Sequence, residues 1–329
     1  MPSNKEVKIL VVLTSAIPPA HPSFLLERST VKRLSRRRVY VGVIAVLTAA
    51  ALVAIVLHPG MVTHDVDLHD GGVWVTNGKM KMVAHLNYPS QTLDGGLRTS
   101  STSFDVDQSG SQVFMSDSSS DSYTQIDVAR TTLMPPNTSA GSSTMELGGD
   151  RIGVADPATG KVWVASASQA PTFSQSATPP TISDMPGAVL AMGTDGSAHV
   201  ASIRTGTVKT VTPRGSITDI STTSLPKLAD DAELQVSAVG DKSVVLDRRS
   251  GTLVLPGGQT SSLPGDDLQL QVPGPQADEV LVSSTSGLLR VSLSGKVSSV
   301  SPGVTGGSPS RPAQHSGCAY AGWGGKGSF

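Results

Sequence analysis

The chain has 329 residues, and its 25 Lys and Arg nearly balance 26 Asp and Glu for a net charge of −1. That balance lacks the basic footprint of nucleic-acid binding, so no nucleic-acid partner is expected. A single cysteine, Cys318, excludes a disulfide framework and any Cys-based metal site.

Residues 1–38 are read as a basic cytoplasmic tail. Its apolar run from Ile9 to Leu13 is too short to span a membrane, and it ends in Lys32, Arg33, Arg36, Arg37 and Arg38. A start near Val31 is the alternative reading, leaving a compact VKRLSRRR head. Residues 39–57, VYVGVIAVLTAAALVAIVL, carry no charge. A helix there is roughly 28 Å long, close to the hydrocarbon thickness of a bilayer. Cations precede this segment, and His58, His64, Asp65, Asp67 and Asp70 follow it. The rule that cationic flanks stay inside predicts a single-pass plasma-membrane protein with a cytoplasmic N-terminus. Residues 58–329 then form an extracytoplasmic domain. A cleaved signal peptide competes with this reading. However, the segment ends LVAIVLHPG without a clean small-residue cleavage site, which favours an uncleaved anchor.

Beyond residue 60, Ser, Thr, Gly and Val dominate, a mix that favours strands and turns over helices. One pattern recurs: an alternating strand, a tight Gly/Asp turn, and a second alternating strand. It appears as VDLHDGGVWVTN (66–77), FDVDQSGSQVFMSD (104–117), MELGGDRIGVAD (145–156), VLAMGTDGSAHVAS (189–202) and VSAVGDKSVVLD (236–247). Looser instances are LQLQVPGPQADEVLVSS (268–284) and AQHSGCAYAGW (313–323). A third strand is predicted at MVAHLN (82–87), YTQIDV (123–128), KVWVAS (161–166), GTVKTVT (206–212), GTLVLP (251–256) and GLLRVSL (287–293). Gly71, Gly110, Gly149, Gly196 and Gly240 stand where hairpins need positive φ. A period of about forty residues suits a propeller blade better than a sandwich domain of roughly a hundred. The expected fold is therefore all-β: a β-propeller of about six to seven blades following a single N-terminal transmembrane helix. The pairs Val73/Val75, Val113/Met115 and Ile152/Val154 are expected to face adjacent blades. The Ser-rich stretches at 116–123 and 166–181 are expected to project as solvated loops.

VWVTN, residues 73–77, resembles the YVTN-type propeller strand, in which Thr-Asn closes an alternating apolar run. The order of anchor, HDGGVWVTN, D-x-x-T-G turn and GCAYAGW resembles actinobacterial membrane-anchored proteins with fibronectin type III or Ig-like repeats. That resemblance runs over roughly residues 31–323. It implies a propeller-like region followed by tandem sandwich domains. No such domains follow here, so the last blade is expected to be incomplete, with Cys318 lacking a partner.

No nucleophile elbow, Walker A loop or dinucleotide fingerprint appears. Asp65-x-Asp67-x-His69 resembles the opening of a calcium loop. Asp70 then stands where Gly is needed and Thr76 where the bidentate Glu belongs, so neither metal nor cofactor is expected. His85, His199 and His315 are read as ordinary strand residues, and Trp74, Trp163 and Trp323 as packing between blades. Asn137-Thr138-Ser139 has the form of a glycosylation sequon. The resulting expectation is a non-catalytic envelope scaffold or binding protein that contacts an envelope protein or cell-wall glycan. The alternatives are a glycan-active hydrolase or lyase, which needs paired carboxylates facing one pocket, and an envelope sensor.

Overall fold

The computed structural model describes residues 72–87, 90–138, 143–214, 217–275, 278–300, 307–315, 317–324 and 327–328. The expected tail, membrane helix, His64–Asp70 cluster and Gly71 lie outside them. Among the described residues, no helix is long and apolar enough to cross a membrane.

The chain folds as a series of antiparallel meanders, as period-2 alternation broken by turns dictates. The first sheet contains Val73–Asn77, Met82–Asn87 and Thr92–Arg98. The second contains Phe104–Ser109, Gln112–Asp117 and Ser122–Asp127, with Thr132–Leu133 and Asn137–Thr138 both paired to the last of these. Thr144–Gly148, Arg151–Asp156 and Lys161–Ser166 form the third, and Ile182 bridges to Val162 at its outer edge. The fourth holds Val189–Met192, Ala198–Ser202, Thr207–Arg214 and Ile217–Ser224. The fifth holds Leu234–Val239, Lys242–Asp247, Thr252–Val254 and Thr260–Ser262. The sixth holds Gln269–Leu270, Glu279–Ser284, Gly287–Ser292 and Val297–Val300. Two short hairpins follow, Ala313–His315 with Cys318–Tyr320 and Gly322–Trp323 with Gly327–Ser328. The fold is all-β and propeller-like.

Every third strand read from the sequence forms, within a residue or two at its ends. Gly110, Gly149, Gly196 and Gly240 all adopt positive φ in the hairpins that begin the second to fifth sheets. The turn after the first strand of the first sheet and after the second strand of the second, third and fifth sheets is also one device used repeatedly. The strand ends on Asn77, Asp117, Asp156 or Asp247, whose side-chain oxygen accepts a backbone N–H two or three residues on. Four residues after each of these stands a positive-φ residue: Lys81, Asp121, Gly160 or Gly251. The same turn closes the third strand of the second sheet, from Asp127 to Thr131. This is an Asx turn, so the Asn of VWVTN has a local structural task.

Adjacent sheets pack face to face. Leu246, Leu253, Leu270, Val280, Val282 and their neighbours form one core between the fifth and sixth sheets. Phe114, Tyr123, Ile152, Val154 and Trp163 form another between the second and third. All three tryptophans are buried, as expected: Trp163 donates through Nε1 to the Thr178 carbonyl, and Trp323 to that of Ser284, each at 2.8 Å.

Two expectations are corrected. In the first sheet the exposed pair is Val73 and Val75, at 49% and 36%, whereas Trp74 between them packs with Val83, Val113 and Met115. Strand alternation allows only one of these faces to enter that core, and the larger side chain takes it. The Ser-rich segments also do not project as loops. Residues 116–123 are the Asx turn of the second sheet, with Asp117 and Tyr123 buried. Residues 166–181 contain the 3₁₀ helix Ala167–Thr172, which presents Ala167 and Ala170 together to the core. Phe173 follows and meets Trp163 edge-on at 6.4 Å. In a 3₁₀ helix, residues three apart share a face, so three apolar residues in a serine-rich stretch suffice to anchor it.

Candidate functional site

Asp107 and Glu146 are the site residues that sequence reading missed. Each lies on the first strand of its sheet, and each stands three residues before the hairpin glycine, Gly110 or Gly149. The repeat therefore brings them to equivalent places in neighbouring sheets. Both line a recess of about 360 Å³, along with Val106, Leu147, Met192, Thr194, Val272 and Arg311. These residues come from the second, third, fourth and sixth sheets and the segment before the final hairpins, so the recess is where the first strands converge.

Arg311 closes it. Its Nε donates to the Leu270 carbonyl at 3.0 Å, and Nη2 donates to the carbonyls of Gln271 at 3.0 Å and Val236 at 3.2 Å. One guanidinium thus ties the first strands of the fifth and sixth sheets to the segment before the final hairpins. Its planar array of N–H donors suits that task. Glu146 accepts from the Met192 N–H at 3.4 Å, linking the third and fourth sheets. Gly148 permits the same approach, because a Cβ there would collide with the Gly193 carbonyl oxygen.

The electrostatics follow from the enclosure. Water reaches both carboxylates, but protein surrounds them on most sides, as at the wall of a narrow recess. Burial pushes Glu146 up to about 7; Arg311 opposes that shift and Asp107 adds to it. Burial likewise pushes Asp107 up to about 6, reinforced by Asp105 and opposed by Arg311. Burial lowers the Arg311 pKa, and the two acids counter it. Near neutral pH the recess holds a part-protonated Glu146 that can both donate and accept hydrogen bonds and a mostly ionised Asp107 that accepts them, beside a cation whose donors are largely committed to carbonyls.

The histidines do not converge. His85 meets Asp94 at 2.5 Å and lies 5.3 Å from the Trp74 ring, while His315 is exposed. His199 is fully buried between the fourth and fifth sheets. Its Nε2 meets Ser197 Oγ at 2.9 Å, and its Nδ1 meets Ser243 Oγ at 2.6 Å. Ser197 donates onward to Asp195, and Ser243 pairs with Thr210. Burial lowers its pKa to about 4 against the pull of Asp195 and Asp241, so this is a neutral structural link. Asn137 of the sequon donates from Nδ2 to the carbonyls of Ala170 and Phe173. Among the described residues, no group of three His, Cys, Asp or Glu side chains could hold a metal ion.

No protein-family model and no curated protein matches this chain. Solved structures do. A streptogramin B lyase superposes with a TM-score of 0.52 at 12% identity, over 79% of this chain and 89% of its own. Virginiamycin B lyase from Staphylococcus aureus gives 0.51 at 10% identity, over 77% and 88%. Apo AztD from Citrobacter koseri gives 0.51 at 11% identity, over 76% and 88%. These neighbours are β-propeller proteins of the YVTN-like and virginiamycin B lyase type, and at such identity the likeness shows the fold alone.

Proposed function

We propose that this chain is a non-catalytic, membrane-anchored binding protein of the bacterial envelope, and that it takes a cell-wall glycan at the recess of Asp107, Glu146 and Arg311. The recess carries the reading. It offers donors and acceptors together with little net charge near neutral pH, which suits a ligand rich in hydroxyl and amide groups. Residues 39–57 supply the anchor, and their charged flanks put the ring outside the membrane. We further infer kinship with the actinobacterial anchored proteins bearing fibronectin type III or Ig-like repeats, supported by the order of anchor, HDGGVWVTN and D-x-x-T-G turn.

Full-length protein in detergent micelles is expected to be retained on purified cell wall. Asp107→Asn and Glu146→Gln should each weaken retention about tenfold, the equivalent of one good hydrogen bond. Equal retention of the variants and the wild type would remove the recess from the function. Cys318 is exposed, so a membrane-impermeant maleimide should label it on intact cells. Labelling only after lysis would place the ring on the wrong side for this proposal.

A second reading is favoured by one specific observation: two carboxyls with raised pKa values, about 6 and about 7, share one recess beside a guanidinium. That is the arrangement a glycan hydrolase or lyase uses for its acid and base. Release of glycan fragments by the wild type, abolished in Glu146→Gln, would replace the binding reading with this one.

A further inference from the structure

The first sheet differs from the others in what it shows to solvent. Four of the seven large apolar side chains exposed among the described residues belong to it: Val73, Val75, Met80 and Leu93. Its cations Lys79, Lys81 and Arg98 are exposed as well, and none has an acid within ion-pair distance among the described residues. Its one acid, Asp94, is held by His85 and Asn87. The cations gather at one end of the sheet. Lys79 and Lys81 flank Met80 in the Asx turn that starts at Asn77, and Arg98 pairs with Met82, the residue after that turn. Lys81 Nζ donates to the Ser100 carbonyl at 3.1 Å, which keeps its ammonium at the same end. Met80 stands between the two lysines and is 58% exposed.

That end lies away from the recess. The turn shares a surface hollow with Thr102, just ahead of the strand Phe104–Ser109, whereas the recess uses Val106 to Ser109 at the far end of that strand. From Thr102 to Ser109 an extended chain covers roughly 23 Å. At the turn end the second sheet opens a cleft of about 630 Å³ toward the third. Asp105 and Asp121 line this second cavity, and no Lys or Arg does. Positive charge at this end of the first two sheets therefore belongs to the first sheet alone.

We propose that the turn of Lys79, Met80 and Lys81, together with Arg98, docks on an anionic lipid surface and so turns the recess away from the membrane. Charge complementarity and chain length carry the proposal. An anionic bilayer attracts basic side chains held close to it, at about a fivefold gain in occupancy for each Lys or Arg. Met80 adds an apolar group that enters the headgroup layer while the lysines beside it meet phosphates. Residues 58–71 join the apolar segment to Gly72, so a fully extended chain holds the first sheet within roughly 50 Å of the bilayer. Such a tether makes the contact intramolecular, and a few cations then suffice. The proposal rests on the anchor in the reading above. It adds an orientation, with the turn toward lipid and the recess toward the cell wall.

The test uses full-length protein carrying Cys318→Ser in lipid nanodiscs, made with or without anionic phosphatidylglycerol. A fluorophore is attached through Thr102→Cys beside the turn, or through Ser111→Cys at the hairpin end, both exposed positions. A nitroxide on the lipid headgroup is the quencher. Quenching is expected at position 102 in anionic discs only, and at position 111 in neither. Lys79→Gln, Lys81→Asn and Arg98→Gln should each lower the ratio of quenched to unquenched protein about fivefold. Asparagine is chosen for Lys81 because that backbone is left-handed. Met80→Ser should lower the ratio too. Equal quenching at both positions, or equal quenching at position 102 with and without anionic lipid, would overturn the docking and leave the anchor standing. In discs without anionic lipid, polyglutamate that shifts the position 102 emission as far as anionic lipid does would reassign the turn to an acidic polymer. Protein that fails to enter discs at all would remove the anchor and the docking together.

Discussion

The first two sheets and the fifth and sixth sheets are built from the same repeat, yet they are finished differently. In the fifth and sixth, leucines and valines close a core in which almost every member is fully buried. In the first two, the core holds Trp74, Val83, Val113, Met115 and Ile126, ringed by partly buried Leu97, Phe104, Val106 and Leu133. The Asx turns differ in the same direction. The third and fifth sheets place Gly160 and Gly251 at the positive-φ position, whereas the first two force Lys81, Asp121 and Thr131 into it. A side chain in left-handed backbone costs about 1 kcal/mol or more, and a β-branched one is a true outlier. Both cavities have walls in the second sheet, on the less tightly finished side. Stability is thus concentrated in one part of the ring while openness and ionisable groups gather in another, a division common where binding needs accessible surface.

The largest test of that contrast is a matched pair of truncations. Leu246→Ala removes a fully buried side chain and should cost about 4 kcal/mol by denaturant unfolding, against about 1 kcal/mol for partly buried Leu97→Ala. Equal losses would dissolve the distinction.

Acid titration should show the next effect. His199 has a folded pKa of about 4, below its ordinary value, so the unfolded chain takes up its proton first. Stability should fall between about pH 6.5 and 4 by on the order of 3 kcal/mol, and His199→Gln should flatten that slope. The turn carboxylates act lower. Burial pushes Asp117 and Asp156 up, but hydrogen bonds from Ser119 and from Thr159 more than offset it, so their contribution disappears only in stronger acid.

Asp107 and Glu146 should give the opposite sign. Their folded pKa values are raised, so the stability they contribute is complete below about pH 4 and is lost as pH rises through about 6 and 7. Glu146→Gln should therefore gain stability at pH 8, on the order of 1 kcal/mol once screening in a water-accessible recess is allowed for. No gain at pH 8 would mean that Glu146 is paired rather than strained. The smallest effect belongs to the turns: Thr131→Gly should raise stability by up to about 1 kcal/mol, whereas Gly251→Ala should lower it by a similar amount. Both are read from thermal midpoints.

The sequence by itself determined the meanders. Alternation places successive side chains on opposite faces, hairpin glycines mark each reversal, and a terminal Asn or Asp announces each Asx turn; all of these are interactions between near neighbours. It carried one unread sign of the site as well, since Asp107 and Glu146 stand at the same distance before Gly110 and Gly149. Aligning the repeats on those glycines would have paired them, with Gly193 and Ser237 at the corresponding places in the fourth and fifth units. The spacing gave no comparable sign for Arg311 or for the buried Tyr123 hydroxyl, which has no hydrogen-bond partner among the described residues. Arg311 reaches carbonyls 40 to 75 residues away, and Tyr123 is unsatisfied only because of how the second and third sheets close over it. Local pattern fixes which strands form and how they turn. Which polar groups end up facing one another, and which are left without water or a partner, is decided only when the sheets converge, because burial and charge–charge distance are properties of the packed ring.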